Sequence, residues 1–471
     1  MIQPSKRLNN VEEYYFSKKL KEVNLLKAHG KPIINLGIGS PDMAPSPLVV
    51  AALAESLNNQ SAHKYQSYQG LPELREAMAN FYKRHFGVGL SPLNEILPLM
   101  GSKEGIMHIA MAFLDEGDEV LVPNPGYPTY ASVTKLVKAV PRYYDLTEEN
   151  NWHPDLFALE KEGLEKVKLM WVNYPHMPTG AIPTNKLFED IIKFAKRNNI
   201  LVVNDNPYSF VLNDYPKSIL KYLGAKDNCI ELNSLSKTFN MAGWRVGMVV
   251  GKQEYIEAIL NVKSNMDSGM FYGLQKGAIE ALKSSKMWYT SLNSVYEERR
   301  KLAWQLADAL QCTYEKEAAG MFVWAKLPHG TDAIQFVDKL LKEKSIFLAP
   351  GNIFGSQGNG YVRISLCAPT EEFEKAISRV DKTKSMKDEL TESQIAFLKK
   401  YNFGMEDMFD AKGLTTIEYM ARMKAEGKRI AYNADPCKKE GHTLRTKSGH
   451  CAQCNTYRFG VKKTKQKNNK K

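Results

Sequence analysis

The chain has 471 residues, 43% of them hydrophobic, which is too long for one ordinary core and too apolar for a disordered protein. No stretch approaches the ~18 uninterrupted apolar residues of a membrane span, and the opening MIQPSKRLNNVEEYYF lacks the apolar core of a secretory signal, so a cytoplasmic location is expected. The net charge of +12 gathers at one end: Ala411 to Lys471 carry 16 Lys+Arg against 4 Asp+Glu, leaving 48 of each elsewhere.

Along the first 380 residues short apolar runs alternate with longer helix-like stretches. The runs are EVLVP (119–123), KLMWVNY (168–174), ILVVNDN (200–206), CIELNS (229–234) and VGMVVG (246–251). Such runs, flanked by helical patterns, point to a parallel sheet buried on both faces and so to an α/β body. Ligands of such sheets collect beyond the carboxyl ends of the strands. That directs attention to Asn173, Asp205, Tyr208 and the segment around Lys237. After about Asp381 the pattern changes to two short helices with a linker, then a cysteine cluster, then KKTKQKNNKK, a tail with almost nothing apolar to bury. There is no internal repeat.

The densest chemical signal is SLSKTFNMAGWRVG, residues 234–247. A lysine between hydroxyl residues, directly after a buried strand and followed by an arginine, suits a Schiff-base lysine beside a phosphate cradle. Taken singly, Lys237 reads as a solvated loop residue and Asp205 as a turn or helix cap. Tyr127 alone reads as core packing, and Arg363 alone as a surface ion pair.

Taken together with GIGSPD (37–42), YQSYQGLPELREA (65–77), GSKEG (101–105), NPGYPTY (124–130), NDNPY (204–208) and YVRISL (361–366), the lysine segment resembles the class I/II aminotransferases, the fold-type I enzymes that use pyridoxal 5′-phosphate. The similarity spans residues 10–382 and lies toward the aspartate/LL-diaminopimelate branch. It implies a large domain (45–285) with a mostly parallel seven-stranded sheet between helices. It also implies a smaller α/β domain from both ends of the body (286–382 with part of 1–44, which also forms an N-terminal arm).

The resemblance assigns roles. Lys237 would form the imine and shuttle the proton, Asp205 would face the ring nitrogen, and Tyr208 would donate to the phenolic oxygen. Tyr127 would stack on the ring and Asn173 would lie beside it. Ser102, Lys103, Ser234, Ser236 and Arg245 would hold the phosphate. Tyr65 would reach the phosphate of a neighbouring subunit, implying a homodimer. Arg363 would grip the substrate α-carboxylate through paired hydrogen bonds, helped by Gly39, with Tyr14 as a lid residue. The implied reaction moves an amino group between an α-amino acid and a 2-oxo acid; β-elimination on the same scaffold is the rival.

One position departs from the family. The loop WVNYPHMPTGA (171–181) carries Met177 where the family has an asparagine that donates to the phenolic oxygen, and a thioether cannot donate. Either the imine titrates higher than it would with asparagine, or Met177 packs and Asn173 or His176 donates instead.

The C-terminal segment CKKEGHTLRTKSGHCAQC has the spacing C-x4-H-x8-C-x2-C. This suits one tetrahedral zinc on Cys437, His442, Cys451 and Cys454, with His450 as a rival nitrogen ligand. The expected organisation is a linker with short helices (383–432), a zinc module (433–460) and a disordered basic tail (461–471). The surrounding lysines and arginines would suit a nucleic-acid backbone. That leaves a third reading, a regulator whose body senses a metabolite.

Overall fold

A computed structural model describes residues 2–11, 13, 15–380, 430–432 and 444–446. The chain falls into two compact units, Met1–Ala376 and Ile377–Lys471.

The first unit is built on a seven-stranded sheet. In chain order its strands are β1 (Ile96–Leu99), β2 (Glu119–Asn124), β3 (Val140–Asp145), β4 (Val167–Val172), β5 (Leu201–Asp205), β6 (Cys229–Ser234) and β7 (Gly247–Val250). They lie side by side as β1-β7-β6-β5-β4-β2-β3. β7 pairs antiparallel with both β1 and β6, and the remaining pairs are parallel. All five apolar runs are strands, but VGMVVG runs against its neighbours. The sequence pattern gave no sign of β3, because VPRYYD lies at a half-exposed edge and does not alternate cleanly.

Side-chain alternation divides the sheet into two cores. Met170, Val172, Val202 and Met248 face one way, onto Met78, Phe81, Tyr82, Phe188 and Ile191. Leu169, Trp171, Val203, Leu232 and Val249 face the other, onto Ile106, Ile109 and Tyr130. The covering helices are locally specified. Asn185–Asn198 starts on Thr184, whose side chain accepts from the Leu187 amide, and ends on Asn199 in the left-handed region at φ 51°. Pro72–Phe86 opens with proline in its first turn and closes on Gly87 at φ 70°.

A second, four-stranded antiparallel sheet consists of β8 (Thr313–Tyr314), β9 (Phe322–Lys326), β10 (Ala349–Pro350) and β11 (Tyr361–Ser365), in the order β10-β11-β9-β8. The N-terminal segment joins it: Ile34–Asn35 pairs with Ile346–Phe347, and the Ser365 amide donates to the Leu36 carbonyl at 2.7 Å. This places GIGSPD against β11, which carries Arg363. Asp42, the last residue of that motif, receives both guanidinium nitrogens of Arg299 at 2.7 and 2.8 Å, a paired geometry that fixes the loop.

In the second unit Ile430–Tyr432 and Leu444–Thr446 form an antiparallel pair. Residues 430–432 are therefore strand, where the sequence pattern suggested linker and helix.

Candidate active site

A cavity of about 560 Å³ opens at the carboxyl ends of the central strands, and it gathers residues from the GIGSPD, GSKEG, NPGYPTY, NDNPY, lysine and YVRISL segments. Its size suits a cofactor with a small substrate.

At one end lies an anion cradle. The helix Ser102–Phe113 begins at Gly101, which offers no side-chain cap, so the helix start presents backbone N–H groups and the positive end of the dipole. Gly101 sits at φ 90°, and a side chain there would collide with the Arg245 guanidinium. Arg245 itself is in the left-handed region at φ 57°. Non-glycine residues occupy that region at a cost, which is tolerated mainly where function fixes the geometry. A Cβ on Gly247 would come within 2.9 Å of the Ser102 nitrogen, so both glycines keep the cradle open. Ser234 caps the turn that carries Lys237: its hydroxyl accepts from the Ser236 amide at 3.1 Å and donates to the Ser236 hydroxyl at 2.8 Å.

Midway along the cavity Asp205 ends β5. It is only 5% exposed, and burial pushes its carboxyl up to about 6, with the charge of Glu231 adding to the rise and Tyr130 opposing it. Oδ2 accepts from the Tyr130 hydroxyl at 2.8 Å. Oδ1 has no hydrogen-bond partner among the described residues, and a buried carboxylate oxygen in that state is costly. Tyr130 is in turn stacked on Trp171, with ring centroids 4.8 Å apart and planes 5° from parallel. Tyr127 and Tyr208 also line the cavity. Burial raises both phenols above their ordinary range.

Lys237 is half-buried, and its amine donates to the Gly39 carbonyl. Burial holds the amine below the ordinary lysine range, and Arg363 and Arg245 push in the same direction. Gly39 has no room for a side chain, because a Cβ would meet the Phe322 ring.

At the far end Arg363, 5% exposed, donates to the Gly37 carbonyl at 2.9 Å. Its guanidinium lies 4.0 Å from the centroid of Phe322, 4.6 Å from that of Phe354 and 5.3 Å from that of Phe16. Met177 completes this wall, with its sulfur 3.3 Å from Arg363 Nη1. Met177 is thus packed against the arginine. Of the two substitute donors considered for the loop, His176 pairs its Nδ1 with Thr179 at 2.8 Å, and burial pushes it down to about 3. Asn173 accepts from the Met177 amide at 2.8 Å and donates to the Asp205 carbonyl, and it lines the cavity.

Pyridoxal phosphate fits this donor set. A dianion matches the uncapped helix start with Arg245, the orphaned Asp205 Oδ1 matches a ring N–H, and the low-set amine of Lys237 matches an aldehyde. Of the other expected residues, Tyr65 is 89% exposed and lies outside the cavity. Tyr14 and the set Cys437, His442, His450, Cys451 and Cys454 fall outside the described residues. Sequence reasoning passed over Tyr130, although the motif NPGYPTY ends on it, and over the Asp42–Arg299 pair.

Comparison with known proteins agrees with the geometry. Residues 31–380 match the family model described as aminotransferase class I and II. The chain is 40% identical over 387 residues to LL-diaminopimelate aminotransferase of Aquifex aeolicus, covering 82% of this chain and all of that one. With the protein of the same name from Dehalococcoides mccartyi it shares 39% over 383 residues, or 81% of this chain and 99% of that one. Among solved structures, substrate-bound BacF of Bacillus subtilis superposes with a TM-score of 0.78 at 36% identity, over 82% of this chain and 98% of that one. No helix among the described residues is long and apolar enough to cross a membrane. The chain belongs to the class I and II aminotransferases, the pyridoxal-phosphate-dependent enzymes that move an amino group between an α-amino acid and a 2-oxo acid.

Proposed function

We infer that transamination runs through Lys237, Asp205 and Arg363, with the donor's α-carboxylate on Arg363 and its α-carbon beside the lysine. The observation that carries this reading is one cavity holding a lowered amine, a buried carboxylate with an unpaired oxygen and a buried guanidinium. Pyridoxal phosphate, when bound, supplies the electron sink that makes the donor's α-proton removable. Lys237 would hold the cofactor and, as a free amine, would take and return that proton, for which a lowered amine is suited. Asp205 would hold the proton of the ring nitrogen, Tyr208 would donate to the ring oxygen with Asn173 beside it, and Tyr127 would stack on the ring. Ser102, Lys103, Ser234, Ser236 and Arg245 hold the phosphate. Phe16, Phe322 and Phe354 keep water from the Arg363 guanidinium, which strengthens its grip on a carboxylate.

The enzyme works as a homodimer in this reading, supported by the exposure of Tyr65, a residue that the resemblance assigns to a neighbour's phosphate. The relatives' names put LL-diaminopimelate first among donors to be tried. Purified holoenzyme is mixed with single amino acids without an acceptor, and loss of the visible absorbance of the bound pyridoxal phosphate is followed; 2-oxoglutarate should then restore it. Ammonia released with the absorbance retained would make the reaction an elimination instead, because an elimination leaves the amino group on the product and returns the cofactor unchanged. The zinc module rests on its ligand spacing; metal analysis of the full chain and of Cys451→Ser tests it, with one equivalent of zinc expected in the first and none in the second.

A further inference from the structure

Directly behind the Asp205 strand end, on the opposite face of the sheet, lies a second carboxylate that has no part in the reaction above. Glu231 is on β6, paired in register with Asn204, while Asp205 pairs with Leu232. Alternation along the strands sends Asp205 toward Tyr130 and Glu231 toward Tyr82. Glu231 is fully buried. Its Oε1 accepts from the Tyr82 hydroxyl at 2.9 Å, and its Oε2 accepts from Asn204 Nδ2 at 2.9 Å and the Ile219 amide at 3.1 Å.

A surface acid costs nothing to keep, but one with no exposure needs a reason, since an apolar residue would fill the space at lower cost. The neighbouring bonds suggest the reason. Asn204, which donates to Glu231, accepts from the Tyr174 amide at 3.2 Å, at the start of the loop that carries Met177. Asn206, on the other side of Asp205, has its amide fixed on the Leu232 carbonyl at 2.8 Å. Glu231 therefore anchors both the Asp205 strand end and the loop beside it.

We propose that Glu231 is a positioning residue that, through Asn204 and from across the sheet, fixes Asp205 and strengthens its hold on the proton of the cofactor's ring nitrogen. The proposal rests on the reading of Asp205 given above. The electrostatics agree in direction: Glu231 contributes to the raised carboxyl of Asp205. Glu231 is itself raised by burial, with Asn204, Tyr82, Asn206 and the Ile219 amide opposing the rise. The groups facing Glu231 are these neutral donors and, on its own strand, the Cys229 thiol, which burial first and Glu231 second push up. Those facing Asp205 are the phenol of Tyr130, by hydrogen bond, and the phenols of Tyr127 and Tyr208 across the cavity.

The test uses full-length protein stripped of cofactor and titrated with pyridoxal phosphate from pH 4.5 to 8.5, with Kd read from quenching of tryptophan fluorescence. The wild-type profile should break near the Asp205 value of about 6. In Glu231→Gln the break should fall by about one pH unit, so that at pH 5 the variant binds several-fold more tightly than the wild type does. Tyr82→Phe removes one donor from Glu231 and should move the break the same way by less; it also keeps the test open if Glu231→Gln does not fold. A break that stays in place or rises in the folded variants overturns the proposal. If Asp205→Asn leaves the wild-type profile intact, the role of Asp205 falls and this proposal with it. If Asp205→Asn abolishes the break and Glu231→Gln leaves it unmoved, this proposal alone falls.

Discussion

The two arginines of the cavity are held in opposite ways. Arg245 is exposed, sits in a left-handed backbone conformation and is placed by local turn geometry between β6 and β7. Arg363 lies in the middle of a strand, is buried and is wrapped by three aromatic rings and a thioether. An exposed guanidinium facing a helix start suits a ligand that stays, because several backbone donors share the charge. A desolvated guanidinium suits one that exchanges, because each paired hydrogen bond counts for more there and selects for a planar carboxylate.

The comparison breaks most directly at Arg363. Arg363→Ala should raise the donor KM by about two to three orders of magnitude, the effect of removing one partner of a buried charge pair at ~2–5 kcal/mol. Its Kd for pyridoxal phosphate should stay within about threefold. If cofactor affinity collapses as well, the two ends are not separate. Arg245→Ala should do the reverse, weakening cofactor binding by roughly 10- to 100-fold, as expected for a lost charge-assisted bond of ~1.5–3 kcal/mol, while the donor KM at saturating cofactor changes little. Equilibrium dialysis and steady-state kinetics on both variants decide this.

Gly101→Ala sharpens the cradle half. It forces a side chain into φ 90° and against Arg245, so cofactor affinity should fall about tenfold, by the ~1–3 kcal/mol of a strained backbone position. The smallest effect is expected at Met177→Asn. A donor restored near the ring oxygen favours the deprotonated form of the bound cofactor, so the pH midpoint of its visible absorbance should fall, by less than about one unit. Identical midpoints would mean that the thioether matters only as packing for Arg363.

Much of this site was legible because its residues sit where strands end, and strand ends show in a sequence as an apolar run meeting a polar residue. Lys237, Asp205 and Asn173 were found that way, and the cavity collects all three. Tyr130 was missed because helix position, not motif position, brings it to Asp205. Glu231 was missed because an acid inside CIELNS reads as a break in an apolar run, and its donors come from Tyr82, Asn204 and Ile219, far apart in the chain. The Met177–Arg363 contact joins residues 186 positions apart. No local pattern encodes such a pair. The direction of β7 was likewise hidden, since an apolar run looks the same in either orientation.

That direction has a consequence of its own. Because β7 returns antiparallel to β6, no crossover helix intervenes, and residues 235–246 stay above the strand ends where they began. The spacing between Lys237 and Arg245, the amine and the guanidinium of the proposed reading, is therefore a ruler written into one short turn. A single inserted residue between Lys237 and Arg245 would misread it.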